Sequence, residues 1–137
     1  MPTKRGFRIS EAARLTGLTE RQLDHWDRTG IFRPSLAPAQ GRGSARCYSF
    51  LDLVQLRTAK KLLDAGLAVP RLRKHLAFLR ENLREDHPVP ELLVTDGGDT
   101  ILLADDLAPA ADLLKAGRAV WAVRLDFRAE PGGDRAC

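Results

Sequence analysis

Long apolar runs are the feature that this 137-residue sequence most clearly lacks. No stretch approaches the roughly 20 apolar residues that a membrane-spanning helix needs. The N-terminal segment MPTKRGFR is not followed by the apolar stretch of a secretion signal. We therefore expect a soluble protein of the cytoplasm.

Cysteine and clustered histidine are also scarce. The two cysteines, Cys47 and Cys137, show no CxxC spacing, and in a reducing compartment we expect both to be unpaired. The histidines, His25, His75 and His87, are scattered, which predicts no metal site. The sequence also lacks a phosphate-binding glycine loop and a nucleophile beside a placed histidine, so we expect no enzyme and no cofactor.

The net charge of +4 is unevenly distributed. Residues 1–87 hold 17 Lys and Arg against 9 Asp and Glu, a balance of +8, whereas residues 88–137 hold 5 against 9, a balance of −4. A positive field raises the encounter rate with DNA, RNA or anionic lipid alike. The spacing of motifs has to identify the partner.

The first motif is a pair of short helices. Ser10 precedes EAARL and predicts the cap of a helix over 11–16 that Gly17 ends. Thr19 and Gln22 have the spacing of a capping box, which predicts a second helix to about residue 28 that ends at Gly30. Two helices joined by such a tight turn form a helix-turn-helix, whose second helix enters the major groove of DNA.

The polar side of the second helix is the predicted reading face. It carries Glu20, Arg21, Gln22 and His25, and Arg matches guanine while Gln matches adenine as donor and acceptor pairs. We expect Trp26 to pack in the core on the other side. The following segment RPSLAPAQGRGSA is rich in Pro and Gly and basic, which predicts a loop or hairpin that contacts phosphate or the minor groove.

The rest of the chain changes from helical to strand periodicity. Ser49 and Asp52 begin a third helix that ends at Gly66, and Pro70 opens a fourth that ends before His87-Pro88-Val89-Pro90. ELLVT, the turn DGGD and TILLA predict a hairpin, RAVWAVRLDF a further strand, and ADDLAPAADLLKAG a loop with one helical turn. We predict a mainly α fold with domains 1–87 and 88–137, in which the small antiparallel sheet lies against the fourth helix or a second chain.

The order of these pieces resembles the MerR superfamily of bacterial transcription regulators. The matching segments are FRISEAARLTGLTERQLDHWDRTGIFRP, the R-x-Y-S of Arg46 to Ser49, DLVQL and DAGLAVPRLRKHL, which together cover about half the chain, from Phe7 to Leu76. The resemblance implies a winged helix-turn-helix with base contacts from Glu20, Arg21 and Gln22. It also implies homodimers that bind inverted repeats, and a wing that grips the DNA backbone through Arg42, Arg46 and Tyr48.

Two departures from the family pattern bear on function. The family commonly has Arg-Tyr-Tyr where this sequence has Asp24-His25-Trp26, so the acidic Asp24 should weaken a phosphate contact. The fourth helix is predicted to end near Glu85 with no cysteine cluster behind it, which argues against a thiolate metal sensor.

The leading hypothesis is a homodimeric, sequence-specific regulator of transcription with DNA-binding residues Thr19, Glu20, Arg21, Gln22, His25, Arg42, Arg46 and Tyr48. An alternative is an antitoxin or adaptor whose acidic C-terminal sheet binds a partner protein while the helix-turn-helix autoregulates its operon. The exposed hairpin edge and the charge asymmetry motivate it. A third hypothesis is a small-molecule sensor whose pocket lies between the sheet and the fourth helix, with the effector bound through residues 88–130.

Overall fold

A computed structural model describes residues 6–37 and 46–126, and these residues hold five helices and one three-stranded sheet. The mainly helical fold with a small antiparallel sheet is therefore confirmed. The elements, in chain order, are α1 (Ile9–Thr16), α2 (Glu20–Thr29), α3 (Phe50–Asp64), α4 (Val69–Asn82), β1 (Leu92–Thr95), β2 (Ile101–Ala104), α5 (Ala108–Lys115) and β3 (Trp121–Arg124).

The chain forms two compact units whose border lies inside α3. Among the described residues, the first unit ends at Arg57 and the second runs from Thr58 to Asp126. This border differs from the predicted one at residue 87, because α4 packs on the sheet that follows it.

In the first unit, α1 and α2 form the predicted helix-turn-helix. Gly17 ends α1 with a φ of 86° and Gly30 ends α2 with a φ of 77°, a left-handed conformation that glycine adopts without a steric penalty. The prediction that Ser10 caps α1 is wrong. The helix begins at Ile9 after an extended Arg8, because backbone hydrogen bonds between Phe7 and Tyr48 fix the chain up to that point.

The core of the first unit is small and well filled. It includes Trp26 at 4% exposure, as predicted, together with Phe7, Leu23 and Leu53. The predicted start of α3 is also confirmed by a reciprocal pair of hydrogen bonds. The Ser49 backbone N–H donates to Asp52 Oδ2 at 2.9 Å, and the Asp52 N–H donates to Ser49 Oγ at 3.0 Å.

The structure contradicts the expectation of an unpaired thiol at Cys47. This buried residue is disulfide-bonded. Its backbone exchanges hydrogen bonds with Ala37, which closes the segment before α3. Cys137 lies outside the described residues.

The second unit is built around β1, the middle strand of a sheet with the order β2-β1-β3. Both neighbours run antiparallel to β1, so β2 and β3 are parallel to each other and α5 makes the connection between them. Leu92 and Val94 on one face of β1 pack against Ala110 and Leu113 of α5. The loop with one helical turn is therefore corrected to an eight-residue helix, stabilised by this burial.

The opposite face of the sheet lies against α4, as predicted. His75 Nε2 is 2.8 Å from Thr95 Oγ1, and Arg71 Nη1 donates to the Gly97 carbonyl at 2.9 Å. Lys74 also pairs with Asp99 in the turn between β1 and β2. The sheet is thus covered by α4 on one face and by α5 on the other.

Candidate nucleic-acid interface

The start of α2 is fixed by the predicted capping box. The Gln22 backbone N–H donates to Thr19 Oγ1 at 3.0 Å, and the Thr19 N–H donates to Gln22 Oε1 at 2.8 Å. The two bonds satisfy backbone donors that the first turn of a helix leaves unpaired. They also hold the first turn of α2, with Glu20 and Arg21, in one orientation on the surface.

The capping box changes what Gln22 can offer to a base. Bidentate pairing with adenine uses the amide oxygen as acceptor and the amide nitrogen as donor. Here the Thr19 N–H already uses one of the two acceptor positions of that oxygen and fixes the orientation of the amide. In this conformation the side chain of Gln22 mainly positions the start of α2, and its amide nitrogen can still donate a hydrogen bond to a base.

The exposed face of α2 is longer than the face predicted from the sequence. Arg21, His25 and Arg28 are all exposed, and their spacing of four and three residues places them on one side of the helix. Arg28 is not among the residues predicted for this face from the sequence, although its seven-residue distance from Arg21 is a usable signal. Arg28 Nε donates to Asp24 Oδ2 at 2.9 Å, and its side chain is 62% exposed.

Arg46 contacts α2 from beneath. Its Nε donates to Asp27 Oδ2 and its Nη2 to Asp24 Oδ1, each at 2.6 Å. The Asp27 side chain is only 1% exposed and that of Arg46 15%. The guanidinium therefore ties the segment before α3 to the second helix, and both of these nitrogens are engaged by carboxylates.

Asp24 joins the two arginines. The hydrogen bond from Arg28, assisted by the one from Arg46, holds the pKa of Asp24 below its usual range despite the opposing effect of desolvation. Asp24 is thus a carboxylate at neutral pH. The acidic residue that departs from the family pattern has a structural role in this chain, because it links Arg28 on the surface to Arg46 beneath.

Tyr48 lies in the core. Its side chain is fully buried, and its hydroxyl has no hydrogen-bond partner among the described residues. Burial raises the pKa of Tyr48, since the phenolate is desolvated there. With this placement Tyr48 has no exposed surface for a DNA backbone, which contradicts a direct wing contact in this conformation.

The structure thus divides the predicted site residues into three groups. Thr19, Glu20, Arg21, Gln22 and His25 come together on the first two turns of α2. Arg46 and Tyr48 lie behind that helix and in the core. Arg42 lies outside the described residues.

Other kinds of site find little support in the part of the chain that the structure describes. No group of three His, Cys, Asp or Glu residues in residues 6–37 and 46–126 is arranged to hold a metal ion. No helix in the same residues is long and apolar enough to cross a membrane.

Comparison with known proteins gives a consistent set of relatives. The model of the MerR HTH family regulatory proteins matches residues 7–79. Uncharacterized HTH-type transcriptional regulators of Mycobacterium bovis and Mycobacterium tuberculosis are each 34% identical over 120 residues, which are 88% of this chain and 52% of theirs. The HTH-type transcriptional repressor CarH of Myxococcus xanthus is 32% identical over 84 residues, 61% of this chain and 27% of that protein. The chain therefore spans about half the length of the mycobacterial relatives.

Proposed function

Because this chain belongs to the MerR HTH family of regulatory proteins, we propose that it binds double-stranded DNA as a homodimer and regulates transcription from an inverted-repeat operator. It acts in the cytoplasm, without catalysis and without a cofactor. The observation that carries the proposal is the capped start of α2, which holds Arg21 exposed on the first turn of the second helix.

The exposed face of α2 supports a division of work along the helix. Arg21 reads a guanine through O6 and N7, and Thr19, Glu20 and His25 border it on the same two turns. Arg28 lies one further turn along and meets a phosphate. Gln22 positions the first turn and offers its amide nitrogen as a donor. A helix N-terminus beside the DNA adds its positive dipole end to these contacts.

The residues behind α2 position this face. Arg46 holds α2 through Asp24 and Asp27, and Tyr48 fills the core beneath. Arg42, in the Gly-rich segment, is proposed as a phosphate contact because that segment is basic and follows the helix-turn-helix closely in sequence.

The test begins with the operator. Selection of bound sites from random duplexes with the full chain yields the half-site and the half-site spacing together. Arg21→Ala is then compared with wild type on the selected site and on a random duplex. We expect affinity for the selected site to fall by about ten- to a hundredfold per half-site, the loss of one bidentate contact in each subunit, and affinity for the random duplex to fall much less.

The matched control is Arg84→Ala, which removes the same charge from an exposed residue of the second unit. It should leave both affinities unchanged. Equal losses on the two duplexes for Arg21→Ala would contradict base reading by Arg21. A wild-type chain that binds no duplex at low salt would contradict the function itself.

A second substitution separates positioning from phosphate contact at Arg46. Arg46→Lys keeps the positive charge but cannot reproduce the two-carboxylate geometry of the guanidinium. If Arg46 positions α2, the variant should be less stable than wild type and should bind all duplexes more weakly. If Arg46 contacts phosphate, the variant keeps most of its stability and its affinity.

The alternative of an antitoxin or adaptor is not favoured, because the curated relatives are named as transcriptional regulators. A protein partner or small-molecule effector acting through residues 88–130 remains a prediction. A thermal-shift screen of the full chain against a panel of metabolites tests for an effector, because a bound ligand raises the melting temperature. If no compound stabilises the chain, the result counts against an effector site.

A further inference from the structure

Helix α5 presents a second apolar side that the sheet does not cover. Ala110 and Leu113 face the sheet and are buried. Leu107 and Leu114, at 60% and 62% exposure, are the most exposed large apolar side chains among the described residues. With the exposed Ala111 between them they recur at intervals of four and three residues, so they form one stripe along the helix.

The two ends of this stripe carry opposite charge. Asp105 and Asp106 stand just before Leu107, and Lys115 is the last residue of α5. The two carboxylates accept hydrogen bonds only from backbone groups in the described part of the chain, Asp105 from the Glu91 N–H and Asp106 from the Ala108 N–H. Lys115 forms no ion pair within the same residues. The acidic end and the basic end are therefore both available to a partner.

We propose that this stripe, Leu107–Ala111–Leu114, is where a second copy of the chain docks, with the two α5 helices antiparallel about a two-fold axis. The inference rests on the homodimer in the proposed function and names its surface. In this arrangement Leu107 packs against the partner's Leu114, and Lys115 pairs with the partner's Asp106. A two-fold axis forms each of these contacts twice from a single patch.

One physical feature favours close packing of the two helices, and two favour the antiparallel arrangement. Ala111 lies at the crossing point, where a small side chain lets the helix axes approach to about 8–10 Å. Antiparallel helices align opposite ends of their dipoles. A parallel pair would instead place Asp106 beside Asp106 and Lys115 beside Lys115, and like charges in contact are destabilising.

The surface beside Leu107 is concave. An open cavity of about 600 Å³ is lined there by Leu92, Asp105, Asp106 and Leu107, together with side chains from β3. Its rim holds three carboxylates, Glu91, Asp105 and Asp106, against one cation, Arg124, which pairs with Glu91 at 3.3 Å. The apolar floor and the net negative charge match the chemistry of the partner's Leu114 and Lys115. In the antiparallel arrangement the C-terminal end of the partner helix lies beside Leu107. The cavity is therefore the site that the partner's Leu114 and Lys115 would enter.

The test exchanges charge at the two ends of the stripe. Lys115→Glu and Asp106→Lys each create two repulsive pairs in a homodimer, so each variant should raise the dimer dissociation constant at least about tenfold. When the two variants are mixed, both pairs become attractive again, and the mixture should form a heterodimer with an affinity within about threefold of wild type. Sedimentation equilibrium of the full chain measures all three.

Two further variants complete the design. Leu114→Glu places a charge in the stripe and should leave the chain monomeric while its circular dichroism is unchanged, because the side chain is exposed in the single chain. Asp112→Lys changes an exposed residue of α5 outside the stripe and should leave the dimer intact. Asp106→Lys also loses the bond to the Ala108 N–H, so its helix content is checked in the same way.

The possible results separate this surface from the proposed function. A dimer that persists in all charge variants, or no heterodimer on mixing, would overturn the surface and leave DNA binding by a homodimer in place. A wild-type chain that is monomeric at tens of micromolar and still binds its operator would overturn both the homodimer and the surface. A Leu114→Glu monomer that binds an isolated half-site as wild type does, but loses the advantage of the full inverted repeat, would support both.

Discussion

At the scale of single residues, the ion pair of Arg46 with Asp27 determines whether Arg46 has a structural role or contacts DNA. A carboxylate with 1% exposure is stable in ionised form only when it is paired, since its desolvation costs several kcal/mol. The guanidinium that pairs it is 15% exposed and bonded to Asp24 as well. In this DNA-binding unit the guanidinium of Arg46 therefore stabilises the fold, and the same atoms are not free to bind a phosphate.

Gly97 is a residue of the second unit whose substitution we expect to be damaging although it adds only one methyl group. Its φ is +85°, and a Cβ atom there would lie 2.6 Å from Cζ3 of Trp121. The indole is itself fixed by a 2.9 Å hydrogen bond from Nε1 to the Ala65 carbonyl. We expect Gly97→Ala to lower the free energy of unfolding by about 2–4 kcal/mol, from backbone strain and overpacking together. Urea denaturation measures the change.

Gly117 supplies the control for that prediction. Its φ of +78° is similarly left-handed, but no atom lies within 4 Å of the position of an added Cβ. Gly117→Ala should therefore cost only the backbone term, about 1 kcal/mol. Equal losses at the two glycines would show that the contact with Trp121 is not a constraint.

At the scale of elements, the two helices of the helix-turn-helix begin in different ways. Thr19 caps α2 with its side chain, whereas α1 starts after Arg8 without a side-chain cap. Thr19→Ala should thus lower stability by about 1 kcal/mol and weaken DNA binding, because the first turn of α2 loses its anchor. Ser10→Ala should change stability by less than about 0.5 kcal/mol, since Ser10 lies within the helix. A loss at Ser10 as large as the loss at Thr19 would contradict this difference.

The contact between α4 and β1 passes through a buried histidine. His75 Nδ1 donates to the Arg71 carbonyl at 2.8 Å, so Nε2 must accept from the Thr95 hydroxyl, which in turn accepts from the Gly97 N–H. Arg71 Nη1 returns to the Gly97 carbonyl and closes the cycle. The neutral imidazole makes both bonds, whereas protonation would turn Nε2 into a second donor and force the Thr95 hydroxyl proton to turn away from it.

This cycle predicts a loss of stability in mild acid. Burial lowers the pKa of His75 below its usual value, with the nearby cations Lys74 and Arg71 acting in the same direction and the Arg71 carbonyl and Asp96 opposing. The unfolded chain therefore takes up a proton below about pH 6.5 that the folded chain does not, so stability falls as the pH decreases from there towards the folded pKa. Urea denaturation between pH 7.5 and 5 should show this slope.

His75→Gln tests the assignment, because glutamine keeps a polar side chain but does not titrate. The variant should be less stable at pH 7.5 and should lose part of the slope between pH 6.5 and 5. His25→Gln, at an exposed position, is the control and should keep it. An unchanged slope in His75→Gln would assign the pH dependence to other groups.

Local signals predicted most of these elements, and the failures have physical reasons. Capping residues and glycine stops depend on neighbours three or four positions away, which explains why Thr19, Gln22 and Gly30 were interpreted correctly. The ion pairs of Arg46 join residues 19 and 22 positions apart, and no local pattern carries that information. The length of α5 was underestimated because its stability comes from packing on Leu92 and Val94.

At the scale of the whole molecule, charge follows the two units. The sequence up to residue 57 holds ten basic and five acidic residues, and residues 58–126 hold ten and eleven. The positive balance therefore belongs to the unit with the helix-turn-helix. A field of one sign on that unit favours association with a polyanion, and the near-neutral second unit is better suited to contact between copies of the chain.

This distribution predicts a steep dependence of DNA binding on salt, to which Arg28 contributes. Each phosphate contact adds about 0.9 to the slope of log K against log salt concentration, because counterions are released from the DNA. Arg28→Ala should therefore lower the slope by about 1.8 in a homodimer, one contact in each subunit, and should weaken binding to all duplexes similarly. Arg84→Ala should leave the slope unchanged, since its charge lies after α4 in the second unit. Fluorescence anisotropy titrations between about 50 and 200 mM salt measure both variants, and an unchanged slope in Arg28→Ala would place the phosphate contacts elsewhere than on this face of α2.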